Sequence, residues 1–455
     1  MDGSKASVFV LTLEESHRKL TQDIPSLNVL APCTLSSGIE AWGERRVQDL
    51  AERFEPSHGP SMGLWVPASG AATRMFGPMS DHETVEDLWA RRNQWALGRL
   101  WERATRGKEE GKVDIFWDIV NGGDLPKALL PFHNLDDGEL ECALEAHIRF
   151  WDELHAGLEG TVMFTVQASH RSAIEQAIAK CEAVKLGRIE VHLNVQDPST
   201  DTPILLNNGE WLIDEGGQIQ QRPGGHGSLL SNLNGAGKEL VVIRNIDNAP
   251  SPKMTALRMT WTQAMLEETK VWSSQRDELL AALQSGDSRL DDAFEWLQSF
   301  IHPSNFEVSP WTREEVISLL DRPMRLVGVV RNEGQPGGGP FWVRHQGNQH
   351  GLTVSAQIVE SVEIDESNAH LLHSSTHFNP VDMVCVLGPN PDLNRWVDEG
   401  RHLIAEKEVG GKTVRVLEHP GLWNGAMSGW LTRFVEIPSA CFQPAKTVLD
   451  LLGRD

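Results

Sequence analysis

Three stretches of the chain place a cation beside small residues or prolines. Arg74 follows the run Ala-Ser-Gly-Ala-Ala-Thr at 68–73, Lys127 lies in Pro-Lys-Ala-Leu at 126–129, and Lys446 lies in Phe-Gln-Pro-Ala-Lys-Thr at 442–447. A strand that ends in small residues and then begins a helix can bring backbone N–H groups close to an anion. Arg74 adds a guanidinium with forked donors. The loop that ends at Arg74 is therefore suited to binding phosphate.

A carboxylate follows a strongly apolar run in the middle of the chain. Residues 240–246 read Leu-Val-Val-Ile-Arg-Asn-Ile, and Asp247 and Asn248 come next. An acidic residue at the carboxyl end of a buried strand is where α/β sheets place ligand-contacting groups. Mg²⁺ takes one or two carboxylates together with phosphate oxygens and water. We therefore expect Mg²⁺ as the cofactor, held by Asp247; the structural alternative is an Asx turn that caps the next segment.

The composition excludes several classes of function. The 64 acidic and 41 basic residues give a net charge of −23 at pH 7, which disfavours nucleic-acid binding. The five cysteines are scattered and lack Cys-x-x-Cys pairs, which predicts reduced thiols in a cytoplasmic protein. No apolar run approaches the length of a membrane span, so no membrane partner is expected. The absence of tyrosine excludes a tyrosine general acid. The oligomeric state cannot be read from these features.

Alternating strand-like and helical segments would position these residues. Strands are predicted at 64–67, 162–166, 189–195 and 240–246, and helices at 81–106, 136–156, 170–184 and 254–284. Strands separated by helices indicate βαβ units and a mainly parallel sheet. After residue 320, runs typical of strands predominate, at 325–331, 341–344, 354–360, 413–418 and 432–437. We therefore predict an α/β fold.

The pattern of predicted helices and strands changes along the chain, and this change predicts three parts. Residues 1–60 read as a helical N-terminal extension, residues 61–320 as a nucleotide-binding α/β domain, and residues 321–455 as a β-rich part that completes the active site. The length permits more than one domain.

Several motifs, taken in order, resemble those of the UTP–sugar-1-phosphate uridylyltransferases, the UDP-sugar pyrophosphorylases. Residues 66–75 are similar to that family's loop Ala-Gly-Gly-x-Gly-Thr-Arg, residues 222–233 to its Pro-x-Gly-x-Gly loop, and residues 245–248 to its Asn-x-Asp-Asn run. Residues 442–452 resemble its final lysine motif. The resemblance implies a nucleotide-diphospho-sugar transferase fold with a Rossmann-like sheet. The whole chain also resembles a bacterial family of unknown function.

The resemblance implies a role for each matching residue. Catalytic roles in phosphate binding fall on Arg74, Lys127 and Lys446, with Asp247 as the Mg²⁺ ligand. Nucleotide contacts fall on Ala68, Ser69, Gly70, Thr73, Gln196, Gly224, Gly225 and His226. Sugar contacts fall on Asn248, Glu360, Asn379 and Glu418. The glycines would permit close approach and positive φ.

The expected activity is formation of a nucleotide sugar from a nucleoside triphosphate, UTP by resemblance, and a sugar 1-phosphate, with release of pyrophosphate. Two alternatives stay open. A glycosyltransferase of similar fold would use Asp247 and a metal to bind a ready-made nucleotide sugar, although two lysines suit a triphosphate plus a monophosphate better. A non-catalytic nucleotide-sugar-binding protein is favoured by Ser69 and Ala72, which replace two glycines of the family's loop.

Overall fold

The chain forms two compact units, each assembled from separate segments. The computed structural model describes residues 7–24, 26–57, 61–70, 72–306, 311–334, 337–345, 354–388 and 391–454. The first unit comprises Met1–Trp42, Gln196–Leu240 and Thr269–Glu436, and the second comprises Gly43–Val195, Val241–Glu268 and Ile437–Asp455. The three functional parts expected at 1–60, 61–320 and 321–455 divide the chain differently, and that division stays a prediction.

The second unit is organised by four neighbouring strands. Their order is Leu240–Arg244, Met62–Pro67, Gly160–Val166 and Ile189–Val195. The last three pair in parallel, with Leu64 opposite Val162 and Val162 opposite Val191. Every residue of Gly160–Val166 is buried, as is nearly all of Met62–Pro67. Continuous apolar runs of this kind form parallel strands that are covered on both faces.

The strand order creates a switch point beside Asp247. The chain adds Gly160–Val166 and Ile189–Val195 on one side of Met62–Pro67, and then adds Leu240–Arg244 on the other side. In open α/β sheets, ligands bind outside the carboxyl ends of strands at such a point. The loop 68–72 and the turn 245–250 follow the two strands that flank it. The topology therefore makes these two connections the expected ligand-binding segments of the second unit.

Helices cover this sheet and fill the connection between its first strands. The α-helices of the second unit are Glu44–Arg53, His82–Ala90, Ala96–Thr105, Lys112–Ile119, Ala143–Leu154, Arg171–Ile178 and Glu182–Lys185. A 3₁₀ helix occupies Thr73–Ser80, and a small antiparallel pair joins Pro131–Asn134 to Leu140–Cys142. The helix at 82 begins where the Asp81 carboxylate accepts from the Thr84 N–H, which satisfies a free donor of its first turn.

The first unit is richer in strands. Met324–Arg331 pairs in parallel with Leu431–Glu436 and antiparallel with His377–Val386, and Leu431–Glu436 pairs in parallel with Ile39–Ala41. A second sheet has the order Val29–Pro32, Gly338–Arg344, Val354–Glu360. A third has the order Leu403–Val409, Lys412–Glu418, Thr202–Leu206, Gln221–Arg222. Its α-helices are Leu13–Thr21, Leu230–Asn234, Leu290–Leu297, Arg313–Leu320 and Ala369–His373.

The helix Thr255–Gln284 begins in the second unit and ends in the first. Its predicted limits, 254–284, agree with the observed ones. In the ranges that the structure describes, no helix is both long and apolar enough to cross a membrane.

The predicted α/β class with mainly parallel pairing is confirmed. The prediction of helix and loop for 1–60 was incomplete, because Val29–Pro32 and Ile39–Ala41 are strands. Each is only three or four residues long and pairs with a strand distant in sequence, so local periodicity carries little signal. The strands His377–Val386 and Leu403–Val409 were not predicted either, because their sequences lack a clear alternation of apolar and polar residues.

Candidate functional site

The turn of residues 245–250, here called the Asp247 turn, follows the strand Leu240–Arg244 in the second unit. The C-terminal segment of the chain is bound to it. The Ala445 N–H donates to the Asp247 carbonyl at 2.9 Å, and the Gln443 N–H donates to the Asn248 side-chain oxygen at 3.0 Å. The Asn248 amide in turn donates to the Cys441 carbonyl at 3.5 Å. Asp247 and residues 441–446 are thereby held side by side.

Three of the predicted site residues meet in one cluster, here called the lysine–carboxylate cluster and made of Lys127, Asp247 and Lys446. The Lys446 Nζ lies 2.9 Å from Asp247 Oδ2, and the Lys127 Nζ lies 3.6 Å from the same oxygen. Lys127 also donates to the Ala445 carbonyl at 3.2 Å. A single carboxylate oxygen therefore holds two ammonium groups together.

The two lysines differ in their access to solvent. The Lys446 side chain is 54% exposed, whereas the Lys127 side chain is 16% exposed. Burial lowers the pKa of Lys127 below its ordinary value, the negative charge of Asp247 opposes that shift, and the charge of Lys446 adds to it. Lys446 is therefore the mobile, accessible cation and Lys127 the fixed one.

The backbone around Lys446 is fixed by a local cap. The Asp450 carboxylate accepts from the N–H groups of Lys446 and Thr447, at 2.9 and 2.6 Å. Thr447 and Asp450 form a capping box at the start of the 3₁₀ turn Val448–Leu451. Lys446 is thereby held just before this 3₁₀ turn.

The Asp247 carboxylate has capacity for one more partner. Its Oδ1 is buried and has no hydrogen-bond partner among the residues that the structure describes, while Oδ2 faces the two lysines. An orphaned buried carboxylate oxygen is costly unless something binds it. Mg²⁺ binds such oxygens and completes its shell with phosphate oxygens and water. The residues present therefore fit a Mg²⁺ ion that is held by Asp247 and by the substrate.

The loop 68–72 follows the strand Met62–Pro67 on the other side of the switch point. The Ala68 N–H donates to the Thr165 carbonyl at 2.8 Å, and the Gln167 amide donates to the Ser69 carbonyl at 2.7 Å. A Cβ added at Gly70 would meet open space. Both Ala71 and the side chain of Thr73 lie outside the described residues. The 3₁₀ helix Thr73–Ser80, which follows this loop, lies against the turn Val448–Leu451, which follows Lys446.

Arg74 lies in the first turn of Thr73–Ser80 and is exposed. Within the described part of the chain, its guanidinium makes no hydrogen bond or ion pair, so it does not belong to the lysine–carboxylate cluster in this state.

In the first unit, the glycines of residues 224–227 are required by the protein itself. A Cβ at Gly224 would lie 2.4 Å from the His419 ring, and one at Gly227 would lie 2.1 Å from the Pro420 carbonyl oxygen. Gly225 has φ +81°, a conformation that favours glycine. Close approach and positive φ were expected here, and both occur. The close approach is to residues 419–420, so the glycines themselves give no evidence of a nucleotide.

His226 and Glu360, predicted to contact different parts of the ligand, form one group. The His226 Nε2 lies 3.5 Å from a Glu360 oxygen, and its Nδ1 accepts from the Leu422 N–H at 3.0 Å. Its ring stacks on Trp423, with centroids 4.4 Å apart. Because Nδ1 accepts, the neutral ring carries its proton on Nε2, which faces Glu360. Burial would raise the pKa of Glu360, but hydrogen bonds from His226 and Trp423 lower it below its ordinary value.

The remaining predicted residues of the first unit lie in separate environments. Glu418 forms an ion pair with Lys407 at 2.8 Å. The Asn379 side chain accepts from the Val381 N–H at 3.1 Å and so supports a bulge at which Val381 has φ +58°. Gln196 has a buried amide nitrogen that lacks a hydrogen-bond partner in the described residues. The nucleotide and sugar roles of these residues stay predictions.

Two residues that the sequence did not single out shape this group. Trp423 covers His226 and hydrogen-bonds Glu360. Arg325, fully buried, donates to the Trp423 carbonyl at 2.7 Å, and burial lowers its pKa to about 10. Trp423 lies five residues after Glu418, a predicted sugar contact, so this proximity was a usable signal. Arg325 lies in an apolar strand pattern that gives no such signal.

A cavity of about 420 Å³ in the first unit holds none of the predicted site residues. Its wall includes Gln357, Glu363 and Arg401. The Arg401 guanidinium donates to Gln357, to both Glu363 oxygens and to the Ile358 carbonyl. Protein acceptors saturate this cation, so the cavity has a structural ion pair in its wall and not an open anion site.

We predict that Gly227→Ala destabilises the protein by about 1–3 kcal/mol, because the new methyl group collides with the Pro420 carbonyl in a packed interior. Gly235→Ala is the matched control in the same unit, since its Cβ would meet only ordinary contacts at 3.6 Å or more. The free energy of unfolding of both variants is measured by urea denaturation, with tryptophan fluorescence as the signal. Equal midpoints for the two variants would contradict the tight packing of this loop.

Comparison with solved structures gives similarities at low identity. The chain is similar to a UDP-N-acetylglucosamine pyrophosphorylase from Entamoeba histolytica, with 12% identity over 90% of this chain and 80% of that chain and a TM-score of 0.49. It is similar to a UDP-glucose phosphorylase from Trypanosoma brucei (14% identity, 94% and 70% covered, TM-score 0.45). It is also similar to a mutant UDP-glucose pyrophosphorylase from Leishmania major (14% identity, 99% and 76% covered, TM-score 0.45). Because these TM-scores are below 0.5, they assign no activity to this chain.

Comparison with curated proteins finds no match. The family described as "Domain of unknown function (DUF4301)" matches residues 5–98 and 115–455. This match spans well over half of the chain and agrees with the expected resemblance to a family of unknown function. The chain therefore belongs to the DUF4301 family.

Proposed function

We propose that this protein is a nucleotidyltransferase that forms a nucleotide sugar from a nucleoside triphosphate and a sugar 1-phosphate. The observation that carries the proposal is the lysine–carboxylate cluster, in which two ammonium groups and one carboxylate with a free oxygen meet beside the switch point of the sheet. UTP is the expected nucleotide, on the resemblance of the sequence motifs alone.

The reaction makes few demands on proton chemistry. A phosphate oxygen of the sugar 1-phosphate forms a bond to the α-phosphorus of the triphosphate, and the bond from that phosphorus to the bridging oxygen of the β-phosphate breaks. Pyrophosphate leaves with the electron pair. The nucleophile is already an anion, so no general base is required. Alignment of the two substrates and neutralisation of their like charges lower the barrier.

The cluster supplies the required charges. Lys127, fixed by the Ala445 carbonyl and by Asp247, binds the phosphates that leave as pyrophosphate. Lys446, half-exposed and held only at its ammonium end, exchanges Asp247 for the α-phosphate or the sugar phosphate when substrates bind. Arg74, exposed at the first turn after the loop 68–72, adds a cation for the triphosphate. The loop backbone from Ala68 to Gly70 approaches the same phosphates.

Mg²⁺ bound to Asp247 would screen the negative charges of the two substrates and polarise the reacting phosphate. The Asp247 Oδ1 offers the protein ligand for it.

The first unit is proposed to recognise the nucleoside and the sugar. Gln196 has an unused buried amide nitrogen that suits a nucleobase carbonyl. Glu360 is negatively charged, only partly buried and oriented by His226 and Trp423, which suits hydroxyl groups of a sugar. Asn248 is assigned differently from the sequence prediction: both ends of its amide bond the backbone of 441–443, so it positions the C-terminal segment.

A pyrophosphate-release screen tests the function. The purified protein with Mg²⁺ is offered each common nucleoside triphosphate in combination with a panel of sugar 1-phosphates. Release in any combination supports the proposal and identifies both substrates. Release of a nucleoside diphosphate from a nucleotide sugar would indicate a glycosyltransferase instead. A ligand-induced rise in melting temperature without turnover would indicate a binding protein.

We predict that Lys446→Ala lowers the rate of pyrophosphate release by about 10²–10³-fold, the size of effect that follows loss of one donor to developing charge. Lys180→Ala is the control, because Lys180 is an exposed lysine of the same unit outside the cluster. Steady-state rates and melting temperatures are measured for both variants. An unchanged rate for Lys446→Ala would remove this residue from the reaction.

We predict that the KM for the triphosphate rises at alkaline pH and that Lys127→Arg moves this rise to higher pH. The pKa of Lys127 is lowered, chiefly by burial, so its ammonium is lost as pH rises through a value below that of an ordinary lysine. Arginine keeps its charge throughout this range. The prediction is tested by measuring KM for the triphosphate as a function of pH for wild type, Lys127→Arg and the control Lys180→Arg. Identical profiles would exclude Lys127 as the titrating group.

A further inference from the structure

A layer of buried basic side chains lies against the backbone of the Asp247 turn. Arg258 donates to the Asn248 carbonyl at 3.0 Å, and Arg149 donates to the Pro250 carbonyl at 3.0 Å. The rings of His147 and His133, both fully buried, face the backbone at 245–246 and at Ala249. Nearly every peptide group of the turn thus has a basic neighbour.

The remaining carbonyls of the turn are also engaged. The Asp247 carbonyl accepts from the Ala445 N–H at 2.9 Å, and the Asn245 carbonyl accepts from the Asn248 N–H at 3.1 Å. A peptide plane of this turn cannot rotate without breaking one of these bonds. The backbone from which the Asp247 side chain projects is therefore held by groups outside the lysine–carboxylate cluster as well as by the C-terminal segment.

The arginines themselves are anchored. Arg149 donates to both Glu141 oxygens, at 2.6 and 3.2 Å, and to Glu153 at 3.1 Å, while Arg258 is 2% exposed in the helix Thr255–Gln284. Burial lowers the pKa of His133 to about 3, and Arg454, Arg149 and Arg258 contribute to this shift. His133 is therefore neutral at pH 7, and the arginines carry the positive charge of the layer.

We propose that Arg258 and Arg149 are positioning residues that hold the Asp247 turn in the conformation that binds a divalent cation; this inference rests on the proposed function. Both arginines donate to backbone carbonyls of the turn. Each acts through a carbonyl of the turn, Arg258 through the residue next to Asp247 and Arg149 through Pro250.

The test measures metal binding apart from turnover. Wild type, Arg258→Met and Arg258→Lys are titrated with Mn²⁺ in the presence of inorganic pyrophosphate, and free Mn²⁺ is followed by electron paramagnetic resonance. The Mg²⁺ concentration for half-maximal pyrophosphate release and the melting temperature are measured in parallel. Arg188→Met is the matched control, because Arg188 is an ion-paired arginine of the same unit that bonds Asp152.

Groups that orient a metal ligand typically contribute 10–100-fold to metal affinity. We expect Arg258→Met to weaken Mn²⁺–pyrophosphate binding at least 10-fold and to raise the Mg²⁺ requirement by a similar factor. Arg258→Lys should recover part of both, since lysine can still donate to the Asn248 carbonyl. Arg188→Met should match wild type in binding.

The other outcomes distinguish failure of this inference from failure of the proposed function. A folded Arg258→Met protein with wild-type Mn²⁺–pyrophosphate affinity overturns the inference and leaves the proposed function intact. If Arg258→Met does not fold, Arg149→Gln, at a half-buried side chain, decides by the same titration. A wild-type protein that neither binds Mn²⁺–pyrophosphate nor releases pyrophosphate overturns the proposed function and this inference with it.

Discussion

The carboxylate of Asp247 is the interaction on which the candidate site depends. One of its oxygens holds the ammonium groups of Lys446 and Lys127, at 2.9 and 3.6 Å. Two ammonium ions at this separation from one point repel each other, and without the carboxylate they would separate. The same residue accepts the Ala445 N–H at its backbone and so ties the C-terminal segment to the end of the strand Leu240–Arg244. Removal of this side chain would therefore remove the oxygen that holds the two ammonium groups together.

A strongly acidic chain must concentrate positive charge locally if it is to bind phosphate. In this protein, basic side chains of the second unit lie both at the surface and behind the Asp247 turn. Lys446 and Arg74 are accessible to solvent, whereas Arg149 and Arg258 lie behind the Asp247 turn and bond its carbonyls. Buried cations are screened less by salt than exposed ones.

The glycines of residues 224–227 have the close contacts and the positive φ that their motif predicts, but these features do not identify a ligand. Gly224 and Gly227 are indispensable because His419 and Pro420 occupy the space of a side chain, and Gly225 is required by its positive φ. This packing fixes the backbone that presents His226 to Glu360 and Trp423. The glycines are thus evidence of a rigid loop, and only the polar groups on it bear on recognition.

Local sequence was sufficient for the α/β class, for the limits of Ile189–Val195 and Thr255–Gln284, and for the choice of Lys127, Asp247 and Lys446 as candidate site residues. Hydrophobic periodicity and turn chemistry are local properties, so the chain displays them directly. The meeting of the two lysines at one oxygen, the pairing of His226 with Glu360, and the support of the turn by Arg149 and Arg258 could not be read in this way. Each joins residues more than a hundred positions apart or depends on which peptide carbonyl faces a buried side chain, and only packing in three dimensions sets those distances.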